Sequence, residues 1–198
     1  CGVKMDNTLQ TLFELTRCGL NGVLYKKRID DEDELYQLLR EHGLAAVCFE
    51  AIDKTYVSTS FYERLKKITD AFVLRDLQQD HLMKKLKRIC DDLKIPHIFL
   101  KGSTLKSLYP KRYMRGMGDI DILIDEKDIK SPHKALKESK IKLSSVSYAH
   151  RVYETKDHQM IEVHPRLLSH DRKVLINHPF EMYISKDGYT HLFDHTYE

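Results

Sequence analysis

Apolar residues recur at spacings of three and four through the first half of the chain, which predicts helices. Leu9, Leu12, Phe13 and the stretch from Leu15 to Leu20 form one stripe. Leu35, Leu38 and Leu39 form a second, with Gly43 placed as a C-terminal stop. Residues 44–52 read as a short further helix. A long helix is expected from Phe61 to about Leu93. Its apolar positions are Leu65, Ile68, Phe72, Leu82, Leu86, Ile89 and Leu93, and its other face is Lys, Arg, Asp and Gln. Such an amphipathic helix packs on something larger.

The period changes at Ile95. Residues 95–100, Ile-Pro-His-Ile-Phe-Leu, form an apolar run of strand length, with Pro96 near its start where a missing N–H is tolerated. Residues 104–109 read as a helix stopped by Pro110, and 111–118 as a loop with two glycines. From Asp119 to Ile124 carboxylates and apolar residues alternate, the signature of a strand. Residues 126–139 have helical character interrupted at Pro132. Residues 141–153 read as one strand, Asp157-His158 as a turn, and Met160 to His164 as a return strand. The expected order is strand, helix, strand, helix, strand, strand, preceded by helices: an α+β chain. This predicts a helical N-terminal region at 1–93, an α/β core at 94–170 and a C-terminal segment at 171–198, expected to be truncated.

Composition narrows the class. The 198 residues are 41% hydrophobic and 32% charged, the balance of a globular rather than a disordered chain. Lys and Arg total 33 against 30 Asp and Glu, a net charge of +3 that makes no nucleic-acid footprint unless the bases cluster. No apolar run spans a bilayer, and Cys1 to Gln10 carries no secretion signal, so no membrane partner and a cytoplasmic location are expected. Cys1, Cys18, Cys48 and Cys90 form no C-x-x-C pair and read as reduced thiols. His191 and His195 are four apart but have no H-E-x-x-H context for zinc.

Three short motifs carry chemistry. Asp119 and Asp121 are two apart on a strand, so both carboxylates face one way while Ile120 and Ile122 face the other. Two carboxylates this close repel, and a divalent cation between them resolves the conflict. Oxygen-only ligands suit Mg²⁺ or Mn²⁺. A bare acid–apolar–acid tripeptide, being common, is by itself more often a solvated strand edge. The second motif is Phe99-Leu-Lys-Gly-Ser103, a strand entering a helix. Gly102 permits close backbone approach, Ser103 is placed as an N-cap or phosphate contact, and the helix start favours an anion. It is not a P-loop, because Lys101 precedes the glycine. The third is Glu162 between Ile161 and Val163, either solvated or coordinating.

Together these runs resemble the DNA polymerase β-like nucleotidyltransferase superfamily. The longer strings are Phe99-Leu-Lys-Gly-Ser-Thr-Leu105, Tyr109, Arg115, residues 118–124 and residues 161–166, Ile-Glu-Val-His-Pro-Arg. They look like a poorly characterised bacterial nucleotidyltransferase-like family within it. The resemblance covers residues 95 to 166. It implies a small mixed sheet with flanking helices, with Asp119, Asp121 and Glu162 as catalytic residues and metal ligands. It also implies Gly102 and Ser103 on the β- and γ-phosphates. The third acid is Glu where the superfamily often has Asp. Lys101 and Arg115 are further candidate nucleotide contacts, His164 is placed to orient Glu162 or the acceptor, and Arg166 is a surface or phosphate residue.

The implied reaction moves a nucleoside monophosphate from NTP to a hydroxyl on a small molecule, protein or RNA, with release of pyrophosphate. The competing readings are a toxin–antitoxin-type nucleotidyltransferase acting on protein or tRNA, and a catalytically weak nucleotide-binding or interaction module.

Overall fold

The computed structural model describes residues 7–147 and 149–166. The segment 171–198, with His191 and His195, lies outside the described residues, as does Cys1. The described chain divides into two compact units. One comprises residues up to Gln78 together with Leu105–Gly116, and the other Gln79–Thr104 together with the residues from Met117 onward. The protein is α+β, with helices dominating the first unit and a five-stranded mixed sheet in the second.

The first unit contains α1 (Asn7–Leu20), α2 (Glu32–Glu41), α3 (Ala45–Phe49) and the first part of α4 (Thr59–Asp92). The apolar stripe of α1 is narrower than its sequence suggests. Leu12, Leu15 and Gly19 are buried, whereas Phe13 and Leu20 are exposed. Gly19 permits this packing, because a Cβ there would lie 2.0 Å from the Val47 carbonyl oxygen on α3. Asp31 caps α2 by accepting from the Glu34 N–H at 2.8 Å, and the three acids of the first turn face the positive end of the helix dipole. Leu35, Leu39, Phe61 and Leu65 complete this core.

The first unit also buries an ion pair. Lys106 Nζ lies 2.7 Å from Asp76 Oδ1 on α4, with the two side chains 3% and 12% exposed. Arg112 Nε stands 3.8 Å from the other Asp76 oxygen. Lys111 and Tyr113 both donate to Glu50. These contacts tie segment 105–116 to α4 and to the end of α3.

In the second unit α4 turns directly into β1 (His97–Phe99) through Lys94, whose φ of 54° does the work usually given to glycine. The Ile95 N–H closes the turn onto the Cys90 carbonyl at 2.8 Å. The remaining elements are α5 (Gly102–Leu105), β2 (Ile120–Ile124), α6 (His133–Glu138), β3 (Lys142–Val146), β4 (Arg151–Glu154) and β5 (Met160–His164). The sheet order is β1-β2-β5-β4-β3, antiparallel except for the parallel central pair β2 and β5. Leu82, Leu86 and Cys90 of α4 and Leu136 of α6 pack with Ile120, Ile122, Ile124, Ile161, Val163 and Tyr153. Alternation then sends Asp121, Glu162 and His164 to the opposite face.

Three sequence expectations change here. Residues 141–153 form a hairpin, β3 and β4, rather than one strand. The reversal is made by Ser147, whose Oγ accepts from the Ala149 and His150 N–H groups, so the turn needs neither glycine nor proline. The helix expected at 104–109 begins at Gly102 and passes into a 3₁₀ turn at Lys106–Leu108. Of residues 126–139 only His133–Glu138 is α-helical.

Candidate active site

The site grows from the two central strands. β2 and β5 run parallel, with Asp121 opposite Glu162 and Leu123 opposite His164. Asp119 precedes β2 by one residue. Asp119, Asp121 and Glu162 each offer a carboxylate oxygen, and these oxygens lie within 4.8 Å of one another. Asp121 is 2% exposed, and the other two are partly buried. The geometry thus brings together the two acids of one strand and the third acid of another.

Three carboxylates this close cannot stay ionised without positive partners. Two cationic or proton-bearing groups reach the deepest one. Lys101 Nζ donates to Asp121 Oδ1 at 2.6 Å, and His164 Nε2 lies 2.9 Å from the same oxygen. A carboxylate oxygen only accepts, so Nε2 carries the hydrogen in that contact. Burial pushes the Asp121 pKa up, but the hydrogen bonds from His164 and Lys101 outweigh it and hold the carboxyl below its ordinary 3.8. The hydrogen bond to Asp121 likewise raises the Lys101 ammonium above its ordinary 10.5. His164 Nε2 also stands 3.3 Å from Glu162 Oε2, so the imidazole bridges two of the three acids.

Lys101 reaches Asp121 because of the strand register. β1 pairs with β2, and the ladder continues with the Leu100 N–H bonded to the Asp121 carbonyl at 2.9 Å. The next residue is Lys101, with φ of 49°, which turns the chain from strand into α5. The left-handed position is therefore taken by Lys101 rather than by the glycine after it. Ser103 accordingly lies inside the helix and not at its N-cap, correcting the sequence expectation. Its hydroxyl points to the Met117 sulphur, 3.6 Å away, and the residue is 4% exposed.

Gly102 packs under the same methionine, and a Cβ on it would stand 2.8 Å from Met117 Cγ. Met117 is held in turn by its carbonyl, which accepts from Gln79 Nε2 at 3.0 Å. Met117 thus covers both residues expected to meet phosphate, a placement no sequence motif signals.

The other candidates lie as follows. Arg115 falls in the first unit, and its buried Nε has no hydrogen-bond partner among the described residues. Arg166 pairs with Glu126. His150, which sequence reasoning passed over, lies beside His164 with ring centroids 5.5 Å apart.

Among the described residues no helix is long and apolar enough to cross a membrane. No curated protein and no solved structure matches the chain. Residues 29–192 match the model of a family described as an uncharacterised nucleotidyltransferase. That match spans most of the 198 residues and takes in α2, α3 and α4 of the helical region, while α1 lies before it. The chain therefore belongs to this nucleotidyltransferase family, and the site described above is a candidate for its transferase chemistry.

Proposed function

We propose that this protein transfers a nucleoside monophosphate from NTP to a hydroxyl acceptor, using divalent metal held by Asp119, Asp121 and Glu162. The observation that carries the reading is the convergence of those three carboxylates within 4.8 Å on one sheet face. The donor set is oxygen-only, which fits a hard cation such as Mg²⁺ or Mn²⁺. The local charge also fits, since Lys101 and His164 now do part of the neutralising that a cation would do. A bound divalent ion would supply charge stabilisation for the triphosphate and for the attacking oxygen. This arrangement supports kinship with the polymerase β-like superfamily.

The chain's own residues then have distinct tasks. Asp119 and Asp121 orient the triphosphate through the metal site. Glu162 stands beside Asp121 in register and is placed to accept the acceptor's hydroxyl proton. The oxygen of that hydroxyl forms the new bond to the α-phosphorus, the α–β bridging bond breaks, and pyrophosphate leaves. Lys101, with its side chain 64% exposed, can leave Asp121 and turn to the phosphates. Gly102 and Ser103 meet the β- and γ-phosphates once Met117 swings aside. An unbranched thioether with three rotatable bonds does this at low cost. The acceptor is a hydroxyl of a small molecule, a protein or an RNA.

The test is a pair of parallel labellings with NTP carrying ³²P at the α or the γ position, in cell lysate supplied with Mg²⁺. Nucleotidyl transfer puts the α label on an acceptor and the γ label in pyrophosphate. Asp119→Ala and Asp121→Ala abolish both. Transfer of the γ label to an acceptor, or α labelling that survives both substitutions, overturns the proposal.

A further inference from the structure

Beside the three-acid group lies a second cluster of different chemistry. β4 and β5 are antiparallel with Arg151 opposite Val163 and Val152 opposite Glu162. Extending that register by one residue sets His150 opposite His164. Alternation puts His150 on the same sheet face as Glu162 and His164, with Tyr153 turned to the core on the other side. His150, Glu162 and His164 each offer one ligand atom, and the three atoms lie within 4.8 Å of one another. All three residues are partly buried.

The backbone holds His150 in place. It closes the turn between β3 and β4, donating its N–H to Ser147 Oγ and accepting from the Ser147 N–H at 2.9 Å. His164 is fixed through its Nε2, which lies 2.9 Å from Asp121 Oδ1 and 3.3 Å from Glu162 Oε2.

We propose that His150, Glu162 and His164 bind a divalent transition metal, in a site distinct in hardness from the neighbouring oxygen-only group. Two imidazoles and one carboxylate suit Zn²⁺, Co²⁺ or Mn²⁺, whereas Mg²⁺ takes oxygen ligands and keeps its water. Three protein ligands leave further positions open. Glu162 belongs to both groups, so an ion held here competes for the third acid of the proposed active site. The inference does not depend on nucleotidyl transfer, because it concerns ligation by residues 150, 162 and 164 alone.

The experiment uses the protein stripped of metal and titrated with Zn²⁺ by calorimetry, with and without millimolar Mg²⁺. Wild type takes up one Zn²⁺ that millimolar Mg²⁺ does not displace. His150→Ala weakens Zn²⁺ binding by at least about tenfold, the loss expected even from disturbing a partner of a ligand. Asp119→Asn leaves Zn²⁺ binding intact while reducing Mg²⁺ binding, which separates this site from the proposed catalytic one. His158→Ala, at an exposed histidine paired with Glu154, changes nothing. Histidine-ring NMR of wild type covers the case in which His150→Ala fails to fold, and one equivalent of Zn²⁺ shifts two imidazoles. Zn²⁺ binding that ignores His150→Ala, or a spectrum in which fewer than two imidazoles move, overturns the proposal.

Discussion

The buried pair of Lys106 and Asp76 allows a quantitative prediction about the segment that follows the glycine–serine turn. Lys106→Met keeps the length and apolar stem of the side chain but removes the ammonium 2.7 Å from Asp76 Oδ1. The carboxylate left behind is 12% exposed and has lost its closest positive partner. Stranding one member of a buried pair costs about 3–5 kcal/mol. Arg112 remains at 3.8 Å with a half-exposed side chain and takes up part of the charge, which favours the lower end, about 3 kcal/mol. Removing both charges together is different, because the desolvation cost disappears with them. The double variant Lys106→Met/Asp76→Leu is expected within about 1 kcal/mol of wild type, or above it. Urea unfolding of the four proteins of this cycle, followed by circular dichroism, measures the coupling. Two single losses that simply add in the double variant would refute the reasoning, since they would mean that the residues do not act as a pair.

Three further outcomes follow from local geometry. Gly19→Ala improves helix propensity but drives a Cβ to 2.0 Å from the Val47 backbone oxygen, so denaturant melts should show a loss of about 1–3 kcal/mol rather than a gain. Burial pushes the Cys90 thiol up to about 12 and the Cys48 thiol up to about 11. Neither should alkylate at pH 8 in the native state, and both should react in urea, as peptide mass spectrometry would show. Burial alone would raise the Glu50 carboxyl, but Lys111 and Tyr113 hold it below its ordinary 4.5. A depressed folded pKa means that the stabilisation is present above about pH 4.5 and is lost as pH falls through the folded value. Melting temperatures of wild type and Glu50→Gln should therefore converge as pH drops from about 5 to 3, and a constant gap would contradict this linkage.

The legible parts of the sequence were those written in local periodicity. Asp119, Asp121 and Glu162 alternate with apolar neighbours, so their strands can be read directly, as can the common facing of the two aspartates. The long helix announced itself through Leu82, Leu86 and the other apolar positions of its stripe. What brings Glu162 to Asp121 is the parallel register of β2 and β5, a pairing between distant segments that neither segment encodes alone. The β3–β4 turn was hidden because Ser147 builds it with a side-chain oxygen where a glycine would have been noticed. Ser103 was misplaced for a related reason. Lys101 adopts the left-handed conformation expected of glycine, which moves the helix start two residues earlier than a serine cap would. Met117 over Gly102, and His150 beside His164, are tertiary contacts with no motif behind them.

The place of Glu162 in the site depends on the tertiary pairing of β2 with β5 and not on a tripeptide. The direct measurement is the rate of Mg²⁺-dependent transfer of α-³²P from NTP by Glu162→Gln against wild type, with circular dichroism confirming that both are folded. Glutamine keeps the size and removes the charge and the proton-accepting carboxylate. The expected fall is at least about a hundredfold, the lower bound for a group that both moves a proton and stabilises charge. A variant that labels its acceptor at the wild-type rate would contradict the three-acid site.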